Sequence, residues 1–204
     1  MAATRWEDVR RALAAHRPAV LSELGLERAA VAVILREARG GLELLFIRRA
    51  ERDGDPWSGH VGFPGGRAEP GEHDLRATAE RETAEELGLD LGRSAELLGA
   101  LDELRAMVRM RPLNLAIAPF VYRLHAPAAL TLSPEVRSVH WVPLDEIRGT
   151  RWLSTTDYAD QGTTLPLPCL RVDGLVIWGL TFRMFTNFRE ILDAAPPAPE
   201  AKRQ

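Results

Sequence analysis

A chain of 204 residues with 46% apolar content can bury the core of one domain, and its net charge of −3 leaves no basic stripe for nucleic acid. Met1 to Arg10 lacks the apolar segment of a secretory signal and no apolar run reaches membrane-spanning length, so a cytoplasmic protein with no membrane partner is expected. A single cysteine, Cys169, excludes an internal disulfide, and the five histidines are too scattered for a zinc site.

Thr4 is expected to cap a helix carrying Trp6, Val9, Leu13 and Val20, broken near Pro18. Ala29 to Leu35 and Leu42 to Ile47 read as strands joined by the turn Arg39-Gly40-Gly41. Arg52 to Ser58 is a loop, and a helix is expected from about Asp74 to Leu87. Leu97 to Met107, Leu113 to Tyr122 and Val136 to Val142 read as strands, with a short helix at Leu144 to Ile147. Cys169 to Val172 and Leu175 to Trp178 form a hairpin about Asp173-Gly174, a favoured tight turn. Leu180 to Leu192 is an amphipathic helix with Phe182, Phe185 and Phe188. This gives a helical extension at 1–27, a main domain at 28–193 and a Pro-rich, disordered tail at 194–204. Strands and helices mixed in this way point to a sheet enclosed by helices.

The chemistry concentrates in Gly65-Gly66-Arg67-Ala68-Glu69-Pro70-Gly71-Glu72 and in Arg81-Glu82-Thr83-Ala84-Glu85-Glu86-Leu87-Gly88. On a helix, Glu82, Glu85 and Glu86 share an arc of about 100°. Three carboxylates so close repel one another unless a cation lies between them, and hard divalent ions prefer oxygen ligands. Most glutamate runs are simply solvated helix faces. The preceding Phe63-Pro64-Gly65-Gly66 makes that reading a poor one here, because its glycines let the backbone turn tightly and approach an ion. Arg48, Arg49 and Arg52 lie close by in sequence, and arginine's planar donors suit phosphate.

These residues resemble the Nudix box, the loop–helix–loop of a family that hydrolyses diphosphates with divalent metal. The spacer from His73 to Glu80 is one residue longer than the usual box. The resemblance implies an α/β fold, the Nudix-type α/β/α sandwich with a mixed sheet and a loop-helix-loop catalytic motif. Leu44-Leu45, Arg48 and Gly59-His60-Val61-Gly62-Phe63-Pro64-Gly65-Gly66 are similar to the upstream signature of the coenzyme A pyrophosphatase branch. Ile177-Trp178-Gly179-Leu180-Thr181 is similar to its late motif. Phe46, Arg49 and Asp55 depart from that branch's pattern.

The resemblance implies Mg²⁺ or Mn²⁺ held by Glu82, Glu85, Glu86 and the backbone carbonyl of Gly65. Glu82 is either base or ligand. Glu72 supports the loop or a second ion, with Glu69 as alternative. Glu135 is the candidate for a further glutamate recruited from a later loop, with Glu103 second. Arg81 orients the carboxylates, and Arg48, Arg49 and Arg52 bind substrate. The expected substrate is a nucleoside diphosphate linked to another moiety, with coenzyme A first. ADP-ribose, nucleotide sugars and nucleoside diphosphates stay open, as does a non-catalytic Nudix-fold binding module. Nothing in the sequence decides between a monomer and a homodimer.

Overall fold

The computed structural model describes residues 3–52, 54, 57–108, 111–160 and 163–195, with the backbone alone at 160. Asp55 and residues 196–204 of the expected tail lie outside the described residues.

The organising strand is β1 (Glu27–Ala38), whose run from Ala29 to Leu35 is buried on both faces. Such a strand reads as an unbroken apolar run, without alternation. It turns back at Gly40 into antiparallel β2 (Gly41–Arg49), with Ala38 opposite Gly41 and Leu35 opposite Leu44. Its other side pairs in parallel with β7 (Arg111–Leu124), which makes the sheet mixed. Short strands complete it: β3 (Val61–Gly62) and β8 (Val136–Pro143) on β2, β4 (Gly65–Arg67) on β1, and β5 (Ala95–Ala100) and β6 (Leu104–Val108) on β7.

Side chains alternate across the sheet. Ala30, Ala32, Ile34, Leu45 and Ile47 face α2 (Leu75–Leu87), together with its Ala79 and Leu87. Ala29, Val31, Val33, Leu35, Leu44 and Phe46 face the opposite way, onto α1 (Trp6–Ala15) and α5 (Gly179–Asp193). The result is an α/β/α sandwich. Smaller elements are α3 (Leu91–Ser94) and α4 (Leu144–Arg148). A separate antiparallel sheet contains β9 (Leu153–Asp160), β10 (Thr163–Val172) and β11 (Leu175–Trp178). Asp173 and Gly174 join the last two with φ of 48° and 75°, the double positive φ of a type I′ turn. No helix among the described residues is long and apolar enough to cross a membrane.

Three expectations are corrected. Thr4 does not cap α1; Arg5 occupies that position, and the Asp8 carboxylate accepts its N–H at 3.0 Å. Thr4 instead binds Asp145 through its N–H at 3.1 Å and accepts from Arg148 at 2.6 Å. The helix ends at Ala15, since Pro18 disfavours helical geometry just before it, and Val20 is left 65% exposed. Leu97 to Met107 is two strands rather than one, because Asp102 and Glu103 leave the ladder to hold the segment after α1. Asp102 accepts from the Ala19 N–H at 2.8 Å and from Asn187 at 2.9 Å, and pairs with His16 at 3.0 Å. Glu103 accepts from the Leu21 N–H at 2.8 Å and pairs with Arg28. Glu103 is thereby committed to an anchor.

Candidate active site

The acidic helix α2 starts after Asp74, whose side chain accepts the Arg76 N–H at 2.9 Å, and stops at Gly88 in the left-handed region with φ of 64°. Between these caps the helix lays Glu82 and Glu86 toward β4. Glu86 is only 3% exposed, and its Oε2 accepts the Gly65 N–H at 3.0 Å. The two glycines of β4 answer two close approaches, Gly65 to the backbone of β1 and Gly66 to the side chain of Glu82. A Cβ on Gly65 would strike the Ala30 carbonyl, and one on Gly66 would strike the Glu82 carboxylate.

Burial pushes Glu86 up to about 7, against the Gly65 N–H and the Arg49 charge, which pull it down; Glu82 and Glu135 push it further up. Glu82 is also raised, by burial first, with Arg81 opposing and Glu85 and Glu135 adding repulsion. Glu72 moves the other way, lowered chiefly by the Glu69 N–H and also by Arg81. Arg81 donates to Glu82 at 3.0 Å, to Glu72 and Glu85 at 3.3 Å, and to the Arg67 carbonyl at 3.0 Å. Burial weakens its charge, but those three carboxylates outweigh burial and hold it firmly protonated.

A cleft of about 550 Å³ opens over this group. Its walls carry Glu69, Glu82, Glu85, Glu86 and Glu135 against Arg52, Arg67 and Arg81. Glu135 comes from the residue before β8, where its Oε1 accepts from Arg52 at 3.0 Å. Among the described residues no three Asp, Glu, His or Cys side chains are drawn into a closed cage for a metal. The Arg81 guanidinium lies among Glu72, Glu82 and Glu85 and supplies part of the positive charge they need. The donor set still fits a hard divalent ion. It is all oxygen, five carboxylates face three guanidiniums, and burial raises the two most buried carboxylates despite the arginines beside them.

The predicted arginines separate. On β2, Leu45 and Ile47 face α2 while Leu44 and Phe46 face α5. Arg49 follows the first pair and its charge is felt by Glu86. Arg48 follows the second pair and reaches the Gly174 carbonyl at 3.3 Å, away from the carboxylates. Arg52 lines the cleft, whereas Glu103 is held at the N-terminal anchor. Arg67, Ser133 and Pro134 also line the cleft and escaped sequence reasoning. Their adjacency to Gly66 and Glu135 was the available signal.

The NUDIX domain family model matches residues 26–166. The chain belongs to the NUDIX domain family. Nudix hydrolases in general use divalent metal ions. An uncharacterised protein of Schizosaccharomyces pombe is 40% identical over 109 residues, covering 51% of this chain and 32% of that protein. The human mitochondrial coenzyme A diphosphatase NUDT8 is 48% identical over 61 residues, covering 30% of this chain and 26% of that protein. These matches span about a third or less of the length of those relatives. A MutT/nudix family protein from Enterococcus faecalis superposes with a TM-score of 0.54 at 15% identity, covering 95% of this chain and 76% of that one. That likeness is one of fold, and it supports the α/β/α assignment.

Proposed function

We propose that the protein is a Mg²⁺- or Mn²⁺-dependent pyrophosphohydrolase whose leading substrate is coenzyme A, cleaved to adenosine 3′,5′-bisphosphate and 4′-phosphopantetheine. The observation that carries this reading is Glu86: a glutamate buried at the floor of an acidic cleft, pinned by the Gly65 N–H, and short of positive charge. A carboxylate raised by burial at the floor of a cleft is a functional-site candidate with a physical rationale. The similarity to NUDT8 and the paired motifs around Gly59 and Trp178 support coenzyme A.

Glu85, Glu86 and Glu82, with the Gly65 carbonyl, would hold the ion. Bound there, a divalent ion supplies Lewis acidity toward the diphosphate oxygens and acidifies water. Glu82 or Glu135 accepts the proton of the attacking water. Glu72 fixes Arg81, which keeps Glu82 and Glu85 in place. Arg49 and Arg52 offer charge to the phosphates from the side of β2. The single cysteine suits a reducing compartment such as the cytoplasm.

The test is purified protein with Mg²⁺ and a panel of coenzyme A, ADP-ribose, nucleotide sugars and nucleoside diphosphates, with products identified by mass. Coenzyme A turned over best supports this reading. A faster turnover of ADP-ribose moves the assignment within the family, and no turnover of any diphosphate overturns it in favour of a binding module.

A further inference from the structure

We propose that His60, Tyr158 and Trp178 form a platform on which the planar base of a nucleotide stacks. This deepens the pyrophosphohydrolase reading and rests on it for the orientation of the substrate.

Two segments far apart in sequence meet here. The Thr181 hydroxyl donates to the Val61 carbonyl at 3.0 Å, which locks the start of α5 onto β3. Beside that bond the His60 and Trp178 rings approach to 4.7 Å between centroids, tilted by 59°. Tyr158, from β9, adds a third ring 5.5 Å from Trp178 at 47°. The rings come from a loop, from β9 at one edge of the small sheet and from the last residue of β11 at the other, just before α5.

Rings gathered for core packing are closed off, as Phe46, Phe185 and Phe188 are, at 0 to 1% exposure. His60, Tyr158 and Trp178 are instead all half-buried. The neighbours of Trp178 show that this is local: Ile177 beside it and Cys169 opposite it on β10 are wholly buried. The strand is anchored while its terminal ring is left partly open.

The position connects to the carboxylates. Gly59, next to His60, lines a second cleft of about 600 Å³ with Glu51, Arg52 and Ser58. Arg52 also lines the carboxylate cleft. Arg52 is thus common to both clefts, and Gly59 sets the second, polar one beside His60 in the chain. A nucleoside diphosphate with its phosphates at the carboxylates and Arg52 would lay its ribose along the polar stretch and its base over the aromatic faces. Stacking on aromatic side chains tolerates any base, because every base has a π-face. A saturated chain or a sugar has no such face, so the platform selects the nucleotide end of the substrate.

The experiment is direct binding to the full-length protein, with AMP and ribose 5-phosphate as probes and titration calorimetry as readout. Wild type is expected to bind AMP about tenfold more tightly than ribose 5-phosphate, within the range that base–aromatic stacking reaches. Trp178→Ala should bring AMP down to the ribose 5-phosphate level, and Trp178→Phe should keep most of the preference. Tyr158→Ala, on an outer strand, should weaken AMP several-fold and serves if Trp178→Ala fails to fold. Mn²⁺ affinity should not change in any of them. Equal binding of the two probes by wild type, or an undiminished preference in the alanine variants, overturns the platform. Base-selective binding in a protein that hydrolyses no diphosphate would sink the hydrolase reading and leave the platform standing, whereas turnover with no base selectivity does the reverse.

Discussion

Two carboxylates of this molecule, Asp102 at the N-terminal anchor and Glu86 in the cleft, are shifted in opposite directions by their surroundings. At the N-terminal anchor, burial alone would raise Asp102, but the Ala19 N–H, Asn187 and His16 outweigh it and hold the carboxyl below its ordinary value. In the cleft, burial outweighs every partner of Glu86 and drives it up to about 7. The anchor's partners are all supplied by the chain. The cleft has too few, and under the proposed function a cation from solution makes up the difference. A carboxylate met by its own protein holds structure together, while one left unmet at the floor of a cleft is available for chemistry.

The contrast breaks most visibly at Glu86. Glu86→Gln keeps size and the bond to the Gly65 N–H but removes the charge. Steady-state turnover should fall about a hundredfold or more, with circular dichroism unchanged. A fall of less than about tenfold, only ~1.4 kcal/mol of barrier, would take Glu86 out of the metal set.

Asp102→Ala should do the opposite. It strands the Ala19 N–H and Asn187 and loosens the segment after α1. Thermal unfolding should show a loss of about 2 kcal/mol, the scale of hydrogen bonds to a charged group. Turnover per folded molecule should stay within about twofold of wild type.

Metal-free protein should carry both signatures in its pH–stability profile. Glu86 has a folded pKa above its ordinary 4.5, so its contribution is fully present below about 4.5 and is lost as pH rises through about 7. Asp102 has a folded pKa below its ordinary 3.8, so its contribution is present above about 3.8 and is lost as pH falls further. Melting temperatures of EDTA-treated protein between pH 3 and 8 should show both slopes. In Glu86→Gln the decline at higher pH should flatten, and in Asp102→Asn the acid limb should shrink.

The smallest effect separates neighbouring arginines. Arg49→Ala should lower kcat/KM for a diphosphate substrate about tenfold. Arg48→Ala, on the opposite face of β2 against Gly174, should change it by less than about threefold. Equal losses would mean that strand parity does not govern which arginine serves the phosphates.

That last pair also marks how far the sequence can be read. The strands β1, β2, β7 and β8 were legible as short apolar runs and α5 by apolar residues at helix period, while α2 was legible from its glutamate spacing and the resemblance to the Nudix box. The strand β9 was not, since Ser154, Thr155, Thr156 and Asp157 carry no apolar signal and become a strand only by pairing with β10. The crowding of Glu82, Glu85 and Glu86 could be foreseen from three- and four-residue spacing. The division of Arg48 from Arg49 could not, because a strand buried on both faces does not disclose which side chain points where. Glu135 reaches the cleft through tertiary pairing that places Val136 opposite Arg49, and no local pattern announces it. Glu103 illustrates the reverse, an acidic residue whose role depends on Arg28 and Leu21 far away in the chain.

The most direct test of the central claim is Mn²⁺ binding followed by electron paramagnetic resonance or calorimetry, in wild type, Glu86→Gln and Asp102→Asn, without substrate. The account predicts saturable binding by wild type and by Asp102→Asn with similar affinity, and binding at least tenfold weaker in Glu86→Gln. Equal Mn²⁺ affinity in wild type and Glu86→Gln, or none in wild type, would contradict it.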